Sequence, residues 1–546
     1  MTEFNAWDYG VLPGKECGEE LEKLINSIPH DMSEKILKFQ KGTYYIKASK
    51  CTKRMLYITN TAGDGEYSKD ETPHLAPVAL FFDGFHNLTV DGNGAEVIIS
   101  GKATNCVISN CENFVLQNLS IDVDKPDFHS LKVLKKGKTY IDFELNPNED
   151  FEFKNGTVIF KGDGFEVDVK AKSKVCWWAN KISAENNEIN VRARHPLATA
   201  LKLKMIDGKT LRAFYFSTNK FNVGDCYYLF DNRRQYAGIF VDNGKNITLQ
   251  NIAQHFNYSL AVVCQCSEDI FLKNLNLTPK KDCFVTSVAD FVQVCLCRGV
   301  FSVTDCTFDG AGDDCLNCHG FHFKVNSVNG NVATVKFMHP QSHGYNPFKV
   351  GDEVAFIDKM TLLQKGTGKV VSSVLTDETT VELTLSGSLP KTGMMIENIS
   401  ACPSLYFARN EIHRIVTRGL LITTRGKTVI EDNHFYGNSM SGILFSDDAS
   451  SWYESGMCTD VTVKNNVFDY CGEHGIMIKP ENIIHGGAVH KNIKVINNTF
   501  KKCEKTCFYA KSSSDLQFSD NEILSAPDVI KTVNCENVTV KSVKKI

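Results

Sequence analysis

Short runs of alternating apolar and polar residues recur along this chain, most of them flanked by Asn or Asp. Asn87-Leu88-Thr89-Val90-Asp91 and Asn113-Phe114-Val115-Leu116-Gln117-Asn118 are two copies. Asn246-Ile247-Thr248-Leu249-Gln250-Asn251 and Asp269-Ile270-Phe271-Leu272-Lys273-Asn274 are two more, and later copies begin near Val300, Ser404, Lys427, Asp460, Asn492, Asp515 and Asn537. Several successive starts lie about 22–26 residues apart and others about 31–33, a period that marks a solenoid. Alternation with period two predicts a short strand with one buried face, and Asn or Asp tolerates the turn conformation beside it. Strand, turn and return over this length make one coil of a right-handed parallel β-helix. Successive coils then stack about 4.8 Å apart, so equivalent positions form ladders.

Two stretches interrupt the count. One, about 127–236, contains Thr139-Tyr140-Ile141-Asp142-Phe143-Glu144-Leu145 and Glu166-Val167-Asp168-Val169. The other, about 321–401, contains Val332-Ala333-Thr334-Val335-Lys336-Phe337 and Asp352-Glu353-Val354-Ala355-Phe356-Ile357. Both alternate with period two and carry glycine turns, which predicts inserted antiparallel β modules. The expected organisation is a cap and first coils (1–126), module 1 (127–236), coils 237–320, module 2 (321–401) and closing coils 402–546. Gly18 to Ile25 places Leu21, Leu24 and Ile25 on one side of a helix, as expected for the cap over a solenoid's exposed end.

With 546 residues the chain exceeds one ordinary compact core, but a solenoid escapes that limit because each repeat contacts only its neighbours. The net charge of −4 without a basic run gives no nucleic-acid footprint. No apolar run is long enough to span a bilayer, and the first residues lack a signal-peptide pattern. With 20 cysteines in so long a chain, buried reduced thiols and a cytoplasmic location are the expectation. Cys264/Cys266 and Cys295/Cys297 read as an inward thiol ladder, since Cys-x-Cys is poor zinc spacing. The insert modules offer surfaces for a homodimer.

The densest polar segment is Asp309-Gly310-Ala311-Gly312-Asp313-Asp314-Cys315-Leu316-Asn317-Cys318-His319-Gly320. A bare Asp-Asp pair is most often an inert turn. Here, however, Asp290 precedes Asp313 by 23 residues and Asp314 by 24, one short coil, so the three carboxylates should share one wall. Carboxyls in close company have their pKa values driven apart, and one protonated and one ionised carboxyl is the requirement for glycoside cleavage. Successive strand residues face opposite ways, so Asp313 and Asp314 need a bend, for which Gly312 is suitably placed. Cys315 and Cys318 should point inward. His319 is expected outward, to bind a sugar hydroxyl or orient an aspartate, with a buried structural histidine the equal alternative, and Asn317 is a further candidate for binding substrate. Cys315 to His319 also fits the haem-attachment spacing, but attachment needs an exported chain and accessible thiols. Downstream, Arg418, Arg425, Asp448, Trp452 and Glu454 combine cations, carboxylates and an aromatic ring, a mixture suited to a sugar.

Taken with these residues, a wider set of segments resembles glycoside hydrolase family 110, the α-1,3-galactosidases. They run from His74-Leu75-Ala76-Pro77 to Val123-Asp124-Lys125-Pro126, then Gly312 to Gly320, Val335 to His339, Gly351 to Val354, Thr417 to Thr424, and Ala449 to Gly456. The resemblance implies a β-helix with two β-barrel inserts and metal-independent, cofactor-free, inverting removal of terminal α-1,3-linked galactose. The partners implied are galactose-terminated glycans, including the blood-group B determinant and linear α-1,3-galactosides. It casts Asp313 as general acid and Asp290 and Asp314 as activators of water. Cys315 and Cys318 depart from its usual pattern. The residues by themselves leave three rivals open: a polygalacturonase-like hydrolase, a lyase whose three aspartates hold Ca²⁺, and a non-catalytic carbohydrate-binding solenoid.

Overall fold

The computed structural model describes the chain except residues 64–66, 68, 70, 127, 147–148, 163–164, 170–177, 185–188, 231–232, 282 and 546. Its body is a parallel β-helix. One ladder of coils runs through Ile239–Asp242, Val262–Gln265, Val292–Cys295, Leu316–His319, Leu420–Thr423, Ile443–Phe445 and Ile476–Ile478, all in parallel register. Alternation sorts each strand in two. Val262, Val292, Leu316, Leu420, Ile443 and Ile476 stack inward into one continuous core. Val263, Gln293, Asn317, Leu421 and Leu444 form the matching outward column.

The Asn and Asp punctuation has two separate causes. Asn87, Asn113, Asn246, Asp269 and Asn274 hold positive φ of 51–56°, a region these side chains tolerate. A second set is internal. Asn410, Asn433, Asn466, Asn498 and Asn521 are buried, and each of the first four donates its backbone N–H to the side-chain oxygen of the next, at 2.8–3.0 Å. This ladder satisfies the backbone at a corner where no strand partner exists. Beside it the rings of Phe435, Phe468 and Phe500 stack at 4.9 Å.

The thiol ladder needs correction. Cys264 pairs with Val294, and Cys295 with Gln265, so the coil offset there is 30 residues. Cys264 and Cys297 lie in the solenoid core, whereas Cys266 and Cys295 pack outward against module 2. Burial pushes all four thiols above their usual pKa. The parity flips because Cys266 and Leu296 both adopt positive φ.

The N-terminal helix, Gly18–Ser27, buries Leu21, Leu24 and Ile25 in the solenoid core, as a cap should. Among the described residues, module 1 consists of a seven-stranded antiparallel sheet (between Phe128 and Phe230) and a three-stranded one (Phe151–Lys154, Thr157–Gly162, Phe165–Asp168), sharing one core. In module 2 the ladder closes. Leu316–Asn329 pairs with Val332–Lys336, followed in turn by Thr380–Gly387, Leu363–Asp377, Glu353–Asp358 and Met395–Asn398, which returns to the first strand. This is a six-stranded antiparallel barrel. Its first strand begins as a solenoid rung and leaves the solenoid without a break, so the barrel stands directly over the residues following Asp314.

Phe468→Ala removes the middle ring of a fully buried stack, and a loss of about 3–5 kcal/mol is expected. Urea unfolding followed by circular dichroism measures it, and a loss below 1 kcal/mol would contradict the stacked-coil account.

Candidate active site

The chain bends at Gly312 and Asp313 before Leu316 starts its strand. A Cβ on Gly312 would stand 2.1 Å from the carbonyl oxygen of Val288, so only glycine lets this coil lie so close to the one before. The Gly312 N–H donates to Ser287 O at 2.7 Å. With the bend in place, Asp313 faces a cavity with its side chain 22% exposed, while Asp314 turns into the wall at 2%. Asp290 stacks one coil back from Asp314, and its Oδ1 accepts the Asp314 N–H at 3.1 Å. One oxygen from each carboxylate lies within 4.8 Å of the others.

Two arginines balance this charge. Arg418, one coil on, meets Asp314 in two parallel bonds of 2.8 and 2.6 Å, the strong bidentate geometry. The Arg418 N–H and the Thr417 hydroxyl also donate to Asp314 Oδ1. Arg234 donates to Asp313 Oδ2 and, at 3.1 Å, to Asn60 Oδ1. Asp290 has no guanidinium of its own and accepts from Asn60 Nδ2 at 3.3 Å. Burial, then repulsion from Asp313 and Asp314, therefore holds Asp290 well above the usual carboxylate range. Burial likewise raises Asp314, against the pull of Arg418. Asp313 goes the other way: burial opposes its ionisation, but Arg234 and Arg418 together bring it below the ordinary value. Three carboxylates and two guanidiniums leave one excess negative charge, and one retained proton neutralises the cluster.

The cavity measures about 300 Å³, the small end of the range for ligand pockets. Asn317, Leu421 and Leu444 from the outward column form its floor, and Ser446 to Glu454 one wall. Asp448 shapes that wall by accepting the N–H groups of Ser450, Ser451 and Trp452. Trp452, 42% exposed, stands at the rim and stacks on His339 of module 2 at 4.4 Å between ring centres. The buried pair His322–Asp447, 2.6 Å apart, fastens the start of the wall to the barrel strand.

Of the residues expected from the sequence, Asp290, Asp313, Asp314, Asn317, Arg418, Asp448, Trp452 and Glu454 all line this cavity. Two do not. His319 is on the outward face, but Glu454 and Ser455 pair with Phe321 and Gly320 and roof it over. Its Nδ1 meets Gly320 O and its Nε2 meets the Gln293 amide, so it braces the wall behind the pocket. Arg425 makes a bidentate pair with the buried Glu397 of the barrel, at 3.1 and 2.7 Å, and ties module 2 to the solenoid. Asn60, Arg234, Ser446 and Glu481 also line the cavity and were missed. Arg233-Arg234 is the only Arg-Arg pair in the chain, and it sits where the solenoid resumes after module 1. That was the one available signal.

Among the described residues, Asp290, Asp313 and Asp314 are the one group with the donor set for a metal ion. Arg234 and Arg418 already pair with Asp313 and Asp314, so a divalent cation there would compete with two guanidiniums.

Two family models match the chain: the GLAA-B β-barrel domain II over residues 333–393, and the right-handed β-helix region over 380–523. The α-1,3-galactosidase A of Bacteroides thetaiotaomicron is 33% identical over 522 residues, covering 92% of this chain and 90% of its own. The chain belongs to the α-1,3-galactosidase family, glycoside hydrolase family 110. Its relatives include α-1,3-galactosidase A of Streptomyces avermitilis, 28% identical over 89% of this chain and 81% of its own. Another is α-1,3-galactosidase B of Phocaeicola vulgatus, 28% identical over 95% and 90%.

Because folding raises the Asp290 pKa, its carboxyl favours the folded state when protonated. That contribution is complete below the ordinary carboxylate value and disappears as pH rises through the raised one. Asp290→Asn keeps the oxygen that accepts the Asp314 N–H and never ionises. The variant is expected to be inactive yet to have a higher urea midpoint than the parent at pH 8, with the gap closing toward pH 4. A lower midpoint at pH 8 would contradict this. Gly312→Ala is expected to cut kcat at least a hundredfold, because moving reacting groups by about 1 Å has that cost. A steady-state assay on folded protein checks it.

Proposed function

We propose that the protein is an exo-acting glycoside hydrolase that removes terminal α-1,3-linked galactose with inversion at the anomeric carbon. The observation that carries this is three carboxylates grouped at the base of a small pocket, with one excess negative charge for a proton to neutralise. A pocket of about 300 Å³ takes one terminal sugar and not the middle of a chain. Trp452 offers an apolar face at the rim, and Asn317, Asp448, Glu454 and Glu481 offer partners for hydroxyls. Membership in the family supports galactose as that sugar, the blood-group B determinant and linear α-1,3-galactosides being its candidate sources.

In this mechanism Asp313, the most exposed of the three, donates its proton to the glycosidic oxygen as the C–O bond breaks. A water molecule attacks the anomeric carbon from the opposite face and gives a proton to Asp290. Asp314 has its oxygens taken up by Arg418 and Thr417, so its part is to hold Arg418 and to orient Asp290 through its N–H. The products are β-galactose and the shortened glycan. After they leave, Asp313 is ionised beside Arg234 and Asp290 holds the proton, which is the charge distribution favoured without ligand. Transfer of that proton from Asp290 to Asp313 resets the site.

Nothing favours the polygalacturonase-like rival: Arg234 and Arg418, the arginines of the pocket, are both committed to aspartates, leaving neither for a uronate.

The test is to incubate the protein, with and without EDTA, with blood-group B trisaccharide and α-1,3-galactobiose and to follow anomeric protons by NMR. Galactose should appear first as the β-anomer at a rate unaffected by EDTA, and Asp313→Asn should lower kcat by about 10²–10⁴. Initial α-galactose would overturn inversion, and no galactose from either substrate would overturn the activity.

A further inference from the structure

A second, larger cavity of about 480 Å³ lies on the same outer face of the solenoid, toward the N-terminus. Its floor continues the columns that build the catalytic pocket. Phe81, Val107 and Phe240 are in register and continue through Val263 and Gln293 to Asn317. Phe240 is thus three coils from Asn317 and Phe81 five, about 15 and 25 Å at ~4.8 Å per coil. Two residues along each strand runs a polar column, Asp83, Ser109, Asp242 and Gln265, also in register. The Arg54 guanidinium carbon sits over the Phe81 ring, 3.6 Å from its centre, and forms one wall, and Gly344 and Tyr345 of module 2 belong to the other.

The strap Tyr57–Ala62 separates the two cavities. Gln265 holds it by accepting the Thr59 N–H at 3.0 Å and donating to Tyr57 O at 3.1 Å. On the far side the strap's Asn60 touches Asp290 and Arg234. The strap is therefore shared by both sites.

We propose that this groove is a second, non-catalytic carbohydrate-binding site that holds a neutral oligosaccharide. Val107 and Phe240 are buried beneath the floor, so the surface offered to a ligand is the partly exposed Phe81 beside a column of carboxylate, hydroxyl and amide groups, and these polar groups suit the hydroxyl-bearing edges of a sugar. Asp83 and Asp242 are matched by Lys53 and Arg54 in the same lining, so the groove has no net formal charge and suits a neutral glycan. Its length over several coils suits a chain of sugars, unlike the single-residue catalytic pocket. The choice of a sugar leans on the glycosidase reading, so the experiment reads binding and not turnover.

The probes are β-1,4-galactotetraose and a tetrasaccharide of two N-acetyllactosamine units, neither with an α-linkage to cut. Each is titrated calorimetrically into the protein with excess galactose filling the pocket. Saturable binding of at least one is expected. Ser109→Trp, which fills the groove, and Asp83→Ala, which removes an exposed carboxylate bonded to Asn110 and not to the strap, should each weaken it tenfold or more. Both variants should keep the parent's rate on p-nitrophenyl α-galactoside within twofold. No saturable binding of either probe, or binding that neither substitution weakens, would overturn the proposal. Binding without any galactosidase activity would overturn the proposed function and leave this site standing.

Discussion

Three carboxylates held within 4.8 Å of one another, two of them almost wholly buried, are the constraint that organises this active site. Alone they would repel, and burial would raise the cost of each charge. The structure answers with two guanidiniums and leaves one excess negative charge for a proton to neutralise. The partners are unequally distributed. Asp314 accepts four hydrogen bonds from Thr417 and Arg418, Asp313 shares Arg234, and Asp290 is left with an amide and a backbone N–H. Chemically similar side chains thereby acquire different proton affinities, and in the proposed mechanism the proton held by Asp290 passes to Asp313 before each cleavage.

Such a cluster needs a scaffold that does not relax, and stacked coils supply one. Asp290, Asp314 and Arg418 occupy equivalent places on three successive coils, joined by the backbone bonds Phe291 N–H to Asp314 O and Cys315 N–H to Arg418 O. Their spacing is the coil spacing. The barrel adds the outer wall. Its first strand is the rung after the aspartates, and the His322–Asp447 and Arg425–Glu397 pairs fasten the loop and coil that carry the rest of the pocket. The strap through Asn60 closes the remaining side, so the pocket is assembled from four distant parts of the chain.

What was legible in the sequence follows from that geometry. Periodicity two with a coil-length repeat exposed the solenoid, and the 24-residue offset placed Asp290 against Asp314 because stacking turns sequence separation into contact. The bend at Gly312 followed from two adjacent aspartates needing one groove. Contacts that leave the coil count were illegible. Arg234 and Asn60 reach the site from a linker and a strap with no repeat to index them. His319 and Arg425 have the parity and chemistry of binding residues, but a roofing segment buries one and Glu397 captures the other. The thiol ladder failed because the offset of 30 residues puts Cys295 in register with the outward Gln265, and because positive φ at Cys266 and Leu296 turns Cys266 outward and Cys297 inward, a change that alternation cannot show.

The central claim is that without ligand the shared proton resides on Asp290 while Asp313 is ionised. Carboxyl-carbon NMR on ¹³C-aspartate-labelled enzyme, assigned with the Asn variants and titrated from pH 4 to 8, tests it directly. The account predicts that the Asp313 carbon already has its ionised shift at the acid end, whereas Asp290 retains its proton well above the ordinary carboxylate range. An ionised Asp290 beside a protonated Asp313 in the ligand-free enzyme would contradict it.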